Sequence, residues 1–168
     1  MKLSDVIKKR PEAEKPKARR EGWGEGGTAP YFYIAPISDE IRDAVEEESV
    51  DHDKPFRTEK VDGFRPKKVK NIDPKRQTEN MIYHAITGWD EFTLGALRSL
   101  MSLDYSVPSS IDTKTPIGFD EDSRRTIAQS SSDQFRAWVL TVTSDIEAYH
   151  AEMEQEAVGN SLSTSAGA

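Results

Sequence analysis

The chain has 168 residues, of which 35% are hydrophobic and 32% are charged, and it carries a net charge of −7 and no cysteine. This length suits a single domain, and the missing cysteines exclude disulfides and thiolate metal sites. The acidic excess disfavours a protein that coats nucleic acid, because such proteins are usually basic overall. No apolar stretch reaches the length of a secretory leader or a membrane span, so we expect a soluble protein of the cytoplasm.

Residues 1–30 are predicted to form a flexible arm. A basic, proline-containing run is followed by a glycine-rich run, and few apolar side chains are present to offset the entropy of ordering them. The segment Gly22–Thr28 lacks the Lys-Ser/Thr of a phosphate loop and is interpreted as a linker. Trp23 stands out, since an aromatic side chain in a polar arm either packs on its own domain or anchors the arm to a partner.

Residues 31–76 are predicted to contain a strand, a short helix and a hairpin. The aromatic run Tyr31–Ala35 lies between two prolines and is typical of a strand. Ser38 can cap a helix whose apolar edge consists of Ile41 and Val45. Asp62-Gly63 separates two short β-like runs within residues 55–70, which indicates a hairpin whose basic second run lies at an edge.

Residues 78–157 are predicted to form a helical core. Apolar residues recur at the spacing of one helix face from Met81 to Trp89, and a second group of apolar residues extends from Phe92 to Leu103. Asp120 can cap a short helix that carries Ile127. The longest predicted helix begins at a capping box of Ser131 and Gln134. Its apolar stripe consists of Phe135, Trp138, Val139, Val142, Ile146, Tyr149 and Met153.

No catalytic or metal-binding pattern is found in the sequence. His52, His84 and His150 lie in different elements, and no pair has the four-residue spacing of a helical metal site. The serines Ser130–Ser132 are better explained by helix capping than as nucleophiles. The acidic run Asp120–Asp122 suits the positive end of a helix dipole and does not follow a calcium loop. We therefore predict a protein that is not an enzyme and uses no cofactor and no metal.

The order of several segments resembles the small tail assembly chaperones of long-tailed bacteriophages. The matching segments are Ile82–Phe92 with its central Gly88-Trp89, then Ile117–Asp122, then Phe135–Val139 followed by a long acidic helix. The resemblance covers residues 78–157 and does not extend to the arm or to Tyr31–Ala35. It implies a mainly helical chaperone that covers the tape-measure protein before the tail tube polymerises. It also implies a longer form made by translational frameshifting near the end of the gene.

Together these observations predict a mainly α fold with a minor N-terminal β element. The expected organisation is a flexible arm over residues 1–30, one domain over residues 31–157 and a flexible tail over residues 158–168. The predicted function is a non-enzymatic, protein-binding factor in phage tail morphogenesis that could self-associate and does not contact a membrane. The residues predicted to contact the protein partner are Trp23, Trp89, Phe92, Phe135, Trp138 and Val142.

Two other functions remain open from the sequence. The first is a structural component of the virion, in the tail or at the head-tail connection, whose arm becomes ordered on assembly. The second is a small nucleic-acid-associated regulator that uses the basic residues 54–76. The net charge also changes sign along the chain, from +5 over residues 1–20 to −9 over residues 21–53, +6 over residues 54–76 and −9 over the remainder. Blocks of alternating charge are more useful for steering a protein partner than for coating nucleic acid.

Overall fold

The computed structural model describes residues 2–7, 9–11, 15–24, 29–60 and 65–165, with side chains as far as residue 160. The helices in these residues are α1 Leu3–Val6, α2 Asp39–Glu48, α3 Pro74–Ala85, α4 Leu94–Leu97, α5 Glu121–Ser130, α6 Asp133–Ser144 and α7 Ile146–Ser165. The strands are β1 Arg19–Gly22, β2 Tyr31–Ile34, β3 Phe56–Glu59, β4 Lys67–Lys70 and β5 Ile86–Asp90. In the described residues helices outnumber strands in length and in number, which agrees with the predicted mainly α fold in part.

A three-stranded antiparallel sheet with the order β1-β2-β5 contributes residues of β2 and β5 to the hydrophobic core. The predicted strand after Pro30 is confirmed as β2, and its residues alternate between the two sheet faces. Phe32 and Ile34 are fully buried, whereas Tyr31 and Tyr33 are partly exposed. The prediction of a flexible arm is wrong for Arg19–Gly22, because this segment pairs with β2 along its whole length.

The helix predicted from the apolar face Met81–Trp89 begins before the predicted region and ends before Trp89. It begins at Pro74, where the Asp73 carboxylate accepts hydrogen bonds from two backbone N–H groups, and it ends at Ala85. The next five residues form β5 instead of a last helical turn. Gly88 suits this position, because a Cβ atom there would lie 3.2 Å from the Tyr33 ring on the neighbouring strand. The β element is therefore not confined to the N-terminal part of the chain.

The structure confirms two of the predicted helix N-caps. Ser38 accepts a hydrogen bond from the backbone N–H of Ile41, 3.3 Å away, and begins α2. Asp120 accepts from the backbone N–H of Ser123 at 2.8 Å and begins α5. The predicted capping box at Ser131 is wrong by one residue, since Ser132 caps α6. Ser131 is 2% exposed and ends α5 instead.

The longest predicted helix is interrupted at Asp145. The backbone of this residue leaves the helical region, with φ −80° and ψ 73°, and α6 ends there. The Asp145 side chain then accepts a hydrogen bond from the backbone N–H of Ala148 and starts α7. α7 continues to Ser165, so the prediction of a flexible tail is wrong for residues 158–165.

The remaining segments agree with the sequence in part. β3 and β4 form the predicted antiparallel pair, although Asp62-Gly63 lies outside the described residues. The apolar set after Phe92 forms only the short helix α4 and a turn, and Leu103 is fully exposed. The first backbone N–H groups of α4, those of Leu94 and Gly95, donate to the backbone oxygens of Thr115 and Thr113.

Candidate protein-binding site

Five of the aromatic residues discussed above converge on one cluster against the buried face of the sheet. The Phe32 ring lies at its centre, with centroid distances of 5.2 Å to Phe92 and to Phe135, 6.1 Å to Trp138 and 6.2 Å to Trp89. All four pairs have the edge-to-face geometry that adds about 0.5–1.5 kcal/mol per pair to the burial of apolar area. The cluster joins β2 and β5 to α6.

Four of the six residues predicted to contact a partner belong to the interior. Phe135 is 0% exposed, Phe92 2%, and Trp89 and Val142 9% each. The indole N–H of Trp89 also donates a 2.7 Å hydrogen bond to the backbone oxygen of Ile117, so its polar atom is satisfied inside the domain. These four side chains form the core of the folded domain and offer almost no surface to a partner.

The other two predicted residues, Trp23 and Trp138, lie partly exposed at the rim of the cluster. The Trp23 ring stands edge-on to Phe135 at 5.0 Å and is tilted against Trp138 at 5.2 Å. Its backbone N–H donates to the backbone oxygen of Pro30 at 2.9 Å. Trp23 therefore packs on its own domain, in a notch that Phe135 and Trp138 form; we call it the aromatic notch.

Arg19 provides a second attachment of the arm, which the sequence did not suggest. Its side chain is 14% exposed and lies 3.5 Å from the carboxylate of Glu152 and 3.9 Å from that of Asp145. Its guanidinium also lies 5.2 Å from the centre of the Tyr149 ring, a cation-π distance. Arg19 thus attaches β1 to the junction between α6 and α7. Only the basic character of the arm opposite an acidic helix could have indicated this contact.

On the outer face of the sheet, one polar group connects all three strands. The hydroxyl of Tyr33 in β2 donates a 2.6 Å hydrogen bond to Asp90 in β5, and Arg20 in β1 reaches the same carboxylate at 3.5 Å. Because the hydroxyl proton is held by Asp90, the pKa of Tyr33 is raised above its usual value. The Arg20 guanidinium lies 3.7 Å from the centre of the Tyr31 ring. These contacts stabilise the pairing of the arm with the sheet.

α7 is the largest exposed element in the described part of the chain. Tyr149 in its first turn is buried, and its hydroxyl donates a 2.7 Å hydrogen bond to the backbone oxygen of Ile34. This burial raises the pKa of Tyr149 to about 12. Beyond it, residues 151–160 are exposed except for Met153. Most of the surface of this helix is therefore open to solvent.

The apolar side chains of the short helix α1 are exposed, and Arg10, which follows this helix, contacts α7. Leu3, Val6 and Ile7 are between 55% and 73% exposed, and Arg10 lies 3.5 Å from the sulfur of Met153. Arg10 lines an open groove together with four residues of α7, namely His150, Met153, Glu154 and Ala157. We call the exposed faces of α1 and α7 together the α1–α7 surface. It combines three apolar side chains with an acidic helix.

The three histidines lie in different parts of the fold. The imidazole of His84 pairs with Glu48 at 3.0 Å on the surface, while His52 and His150 lie in separate elements. Asn80 is buried and bridges the Ser49 hydroxyl and Arg125, which makes this network part of the packing between α2, α3 and α5. In the described part of the chain, no three His, Asp or Glu residues are grouped so that they could hold a metal ion.

No helix among the described residues is both long and apolar enough to cross a membrane. No family model, no curated protein and no solved structure matches the chain. Its function therefore has to be inferred from the geometry of its own residues.

Proposed function

We propose that the chain is a non-enzymatic, protein-binding factor in phage tail morphogenesis, a tail assembly chaperone that covers the tape-measure protein in the host cytoplasm. The observation that carries the proposal is the exposed helix α7, whose residues 151–160 are exposed to solvent except for Met153. A solvent-exposed helix gains stability when a partner covers it. The resemblance of residues 78–157 to that chaperone family supplies the identity of the partner.

The α1–α7 surface has the chemistry for a helical client. Leu3, Val6 and Ile7 provide apolar area, and Glu152, Glu154 and Glu156 on α7 provide negative charge. An amphipathic helix with apolar and basic residues could lie along such a surface, with its apolar side chains covered. The acidic residues would raise the association rate and keep the complex soluble. Binding of this kind is reversible, as a chaperone requires.

The basic hairpin offers less support for nucleic-acid binding. The ammonium group of Lys70 pairs with Glu47, and that of Lys68 lies 4.3 Å from the centre of the Phe56 ring. Two of its cations are therefore already engaged within the chain, one of them by a carboxylate that would repel phosphate. A structural virion component is the second candidate, but its arm was expected to become ordered on assembly, whereas β1 and Trp23 already pack on their own domain.

The experiment that separates these functions begins with the phage that encodes the chain. Deleting the gene should prevent the formation of tails, and mass spectrometry of purified wild-type particles should not detect the protein. Detection of the protein in particles at a fixed stoichiometry would refute the chaperone function and support the structural one.

The role of α7 is tested by coexpression with the tape-measure protein of the same phage. A chain that ends at Glu154 keeps Tyr149 and Arg19's partner Glu152, so it should keep its fold and lose the ability to hold the client in solution. Phe56→Ala is the matched control, since this exposed residue lies on the hairpin. Equal recovery of soluble client with the shortened and full chains would exclude α7 as the binding element.

A further inference from the structure

A tight turn between α4 and α5 presents apolar side chains that the rest of the domain does not cover. The turn is closed by a 3.1 Å hydrogen bond from the backbone N–H of Tyr105 to the backbone oxygen of Ser102. Leu103 at its second position is fully exposed, and Tyr105 is 49% exposed. Both side chains line a cleft on each side of the turn, so the turn projects between two clefts. Unlike an isolated exposed apolar residue, a leucine and a tyrosine side by side form a patch of the kind that marks an interaction surface.

The base of the turn is fixed to the core, so its side chains are held in place before a partner arrives. The backbone N–H of Ser102 donates a 2.8 Å hydrogen bond to the oxygen of Ser130, and that of Ser132 donates to the oxygen of Leu100 at the same distance. Leu100 is fully buried, and Ser130 is 5% exposed. A contact residue on a turn that is already ordered loses little conformational entropy on binding.

The larger of the two clefts has a volume of about 560 Å³ and is lined by a balanced set of charges. Lys75 and Arg136 contribute positive charge, whereas Asp104 and Asp133 contribute negative charge. The alkyl stem of a lysine or arginine side chain also supplies apolar area beside its charge. The same surface therefore carries a projecting apolar turn, a cleft that can receive such a turn, and charges of both signs.

The charges of the chain indicate which kind of partner fits this surface. A net charge of −7 opposes contact between two copies at an acidic surface, such as α7 with Glu154 and Glu156. At the cleft the two cations offset the two anions, so two copies can meet there without net local repulsion. A strongly basic or strongly acidic partner would instead be repelled by half of these groups. A second copy of the chain carries both the charges and the shape that complement this surface.

We infer that this surface joins two copies of the chain in a twofold-symmetric dimer, in which the Leu103 turn of each copy occupies the cleft of the other. Because the turn lines its own cleft, one twofold axis brings both turns to both clefts and closes the assembly at two copies. Asp104 of each copy then faces Lys75 and Arg136 of the other. The inference is independent of the proposed function, because none of these residues belongs to the α1–α7 surface.

Sedimentation of the full chain tests the dimer directly. The mean mass should rise from that of a monomer towards that of a dimer between about 1 μM and about 1 mM. Leu103→Asp should raise the dissociation constant at least about tenfold, because it places a charge where an apolar side chain becomes covered. Leu3→Asp is the matched control, since it adds the same charge at a leucine that is 73% exposed in α1, and it should leave the constant unchanged. A chain that stays monomeric up to about 1 mM, or equal effects of the two substitutions, would overturn the inference.

Two opposite charge reversals distinguish the twofold dimer from any other association. One chain carries Asp104→Lys and the other carries Lys75→Asp. In either homodimer both contacts between positions 104 and 75 join like charges, whereas in the mixed dimer both join opposite charges. When the two full-length chains are mixed in equal amounts, native mass spectrometry should therefore show the mixed dimer several-fold above its statistical share.

A control pair carries the same charge changes away from this surface. Asp53→Lys and Lys54→Asp lie at exposed positions just before β3, and they give the two chains the same net charges as the test pair. Any preference that net charge alone causes should thus appear in the control as well. A mixed dimer at its statistical share, or an excess no larger than that of the control pair, would refute the twofold dimer at this surface.

Discussion

The buried hydroxyl of Tyr149 predicts a change in stability whose sign depends on pH. Tyr149 is 1% exposed and donates a 2.7 Å hydrogen bond to the backbone oxygen of Ile34. Tyr149→Phe removes this bond while keeping the ring. Because a buried hydrogen bond contributes about 1 kcal/mol, the free energy of unfolding should fall by about 1 kcal/mol at neutral pH.

At alkaline pH the same hydroxyl becomes unfavourable. Burial raises the pKa of Tyr149 from 10.0 to about 12 in the folded chain. The unfolded chain therefore releases this proton first, and the stability that the neutral hydroxyl contributes is lost as the pH rises from about 10 to 12. A shift of two pKa units corresponds to about 2.7 kcal/mol. Half of this loss is reached at about pH 11, where it exceeds the contribution of the hydrogen bond.

The two stability curves should consequently cross between about pH 10.5 and 11, above which Tyr149→Phe is the more stable protein. Urea denaturation followed by tryptophan fluorescence gives the free energy of unfolding at each pH. The other tyrosines ionise in both proteins, so their effect cancels in the difference. Tyr105→Phe is the control, since Tyr105 is 49% exposed and its curve should stay parallel to that of the wild type. A difference for Tyr149→Phe that stays constant with pH would refute the assigned burial and hydrogen bond.

Two further pairs of substitutions test the packing by thermal or urea denaturation. Phe32→Ala should lower the free energy of unfolding by about 3–5 kcal/mol, because it empties the centre of the aromatic cluster, whereas the exposed Phe56→Ala should change it by less than about 0.5 kcal/mol. Gly95→Ala should destabilise by about 1–3 kcal/mol, since its Cβ would lie 2.9 Å from the Thr113 oxygen, while Gly159→Ala in open space on α7 should increase helicity by circular dichroism. Equal effects within either pair would contradict the packing described.

The elements that the sequence predicted well are those determined by a few neighbouring residues. Ser38 and Asp120 cap their helices through their own side chains, and each cap is visible from the residue type and the next three positions. β2 is recognisable because its run of aromatic residues lies between two prolines. In these cases local chemistry and the overall fold favour the same structure.

The errors occur where a distant segment decides the outcome. Ile86 and Trp89 continue the helical spacing of α3, but they also suit a strand, and the open edge of β2 makes the strand the better choice. β1 has no apolar pattern of its own, and its pairing with β2 is accompanied by the packing of Trp23 in the aromatic notch. Asp145 could have been recognised as a helix cap, but the apolar stripe on both sides of it favoured one continuous helix.

Sequence patterns also could not separate residues that bind a partner from residues of the core. Aromatic residues are enriched both in cores and at interfaces, so their presence could not separate the two roles. The structure assigns Phe92 and Phe135 to the core, while α7 and the short helix α1 are exposed. Neither of these has a strong sequence pattern, because residues 151–160 are mostly acidic, small or polar. The C-terminal part of α7, residues 158–165, was predicted to belong to a flexible tail.

The division between core and surface also constrains how the protein can act. The aromatic cluster is complete without the exposed part of α7, so partner binding there need not disturb the fold. Trp23 differs, since it packs against Phe135 and Trp138 from the end of β1. A partner that used Trp23 as an anchor would have to break these contacts first, whereas a partner on α7 would not. The exposed helix is therefore the surface that a partner can cover at the smaller cost to the fold.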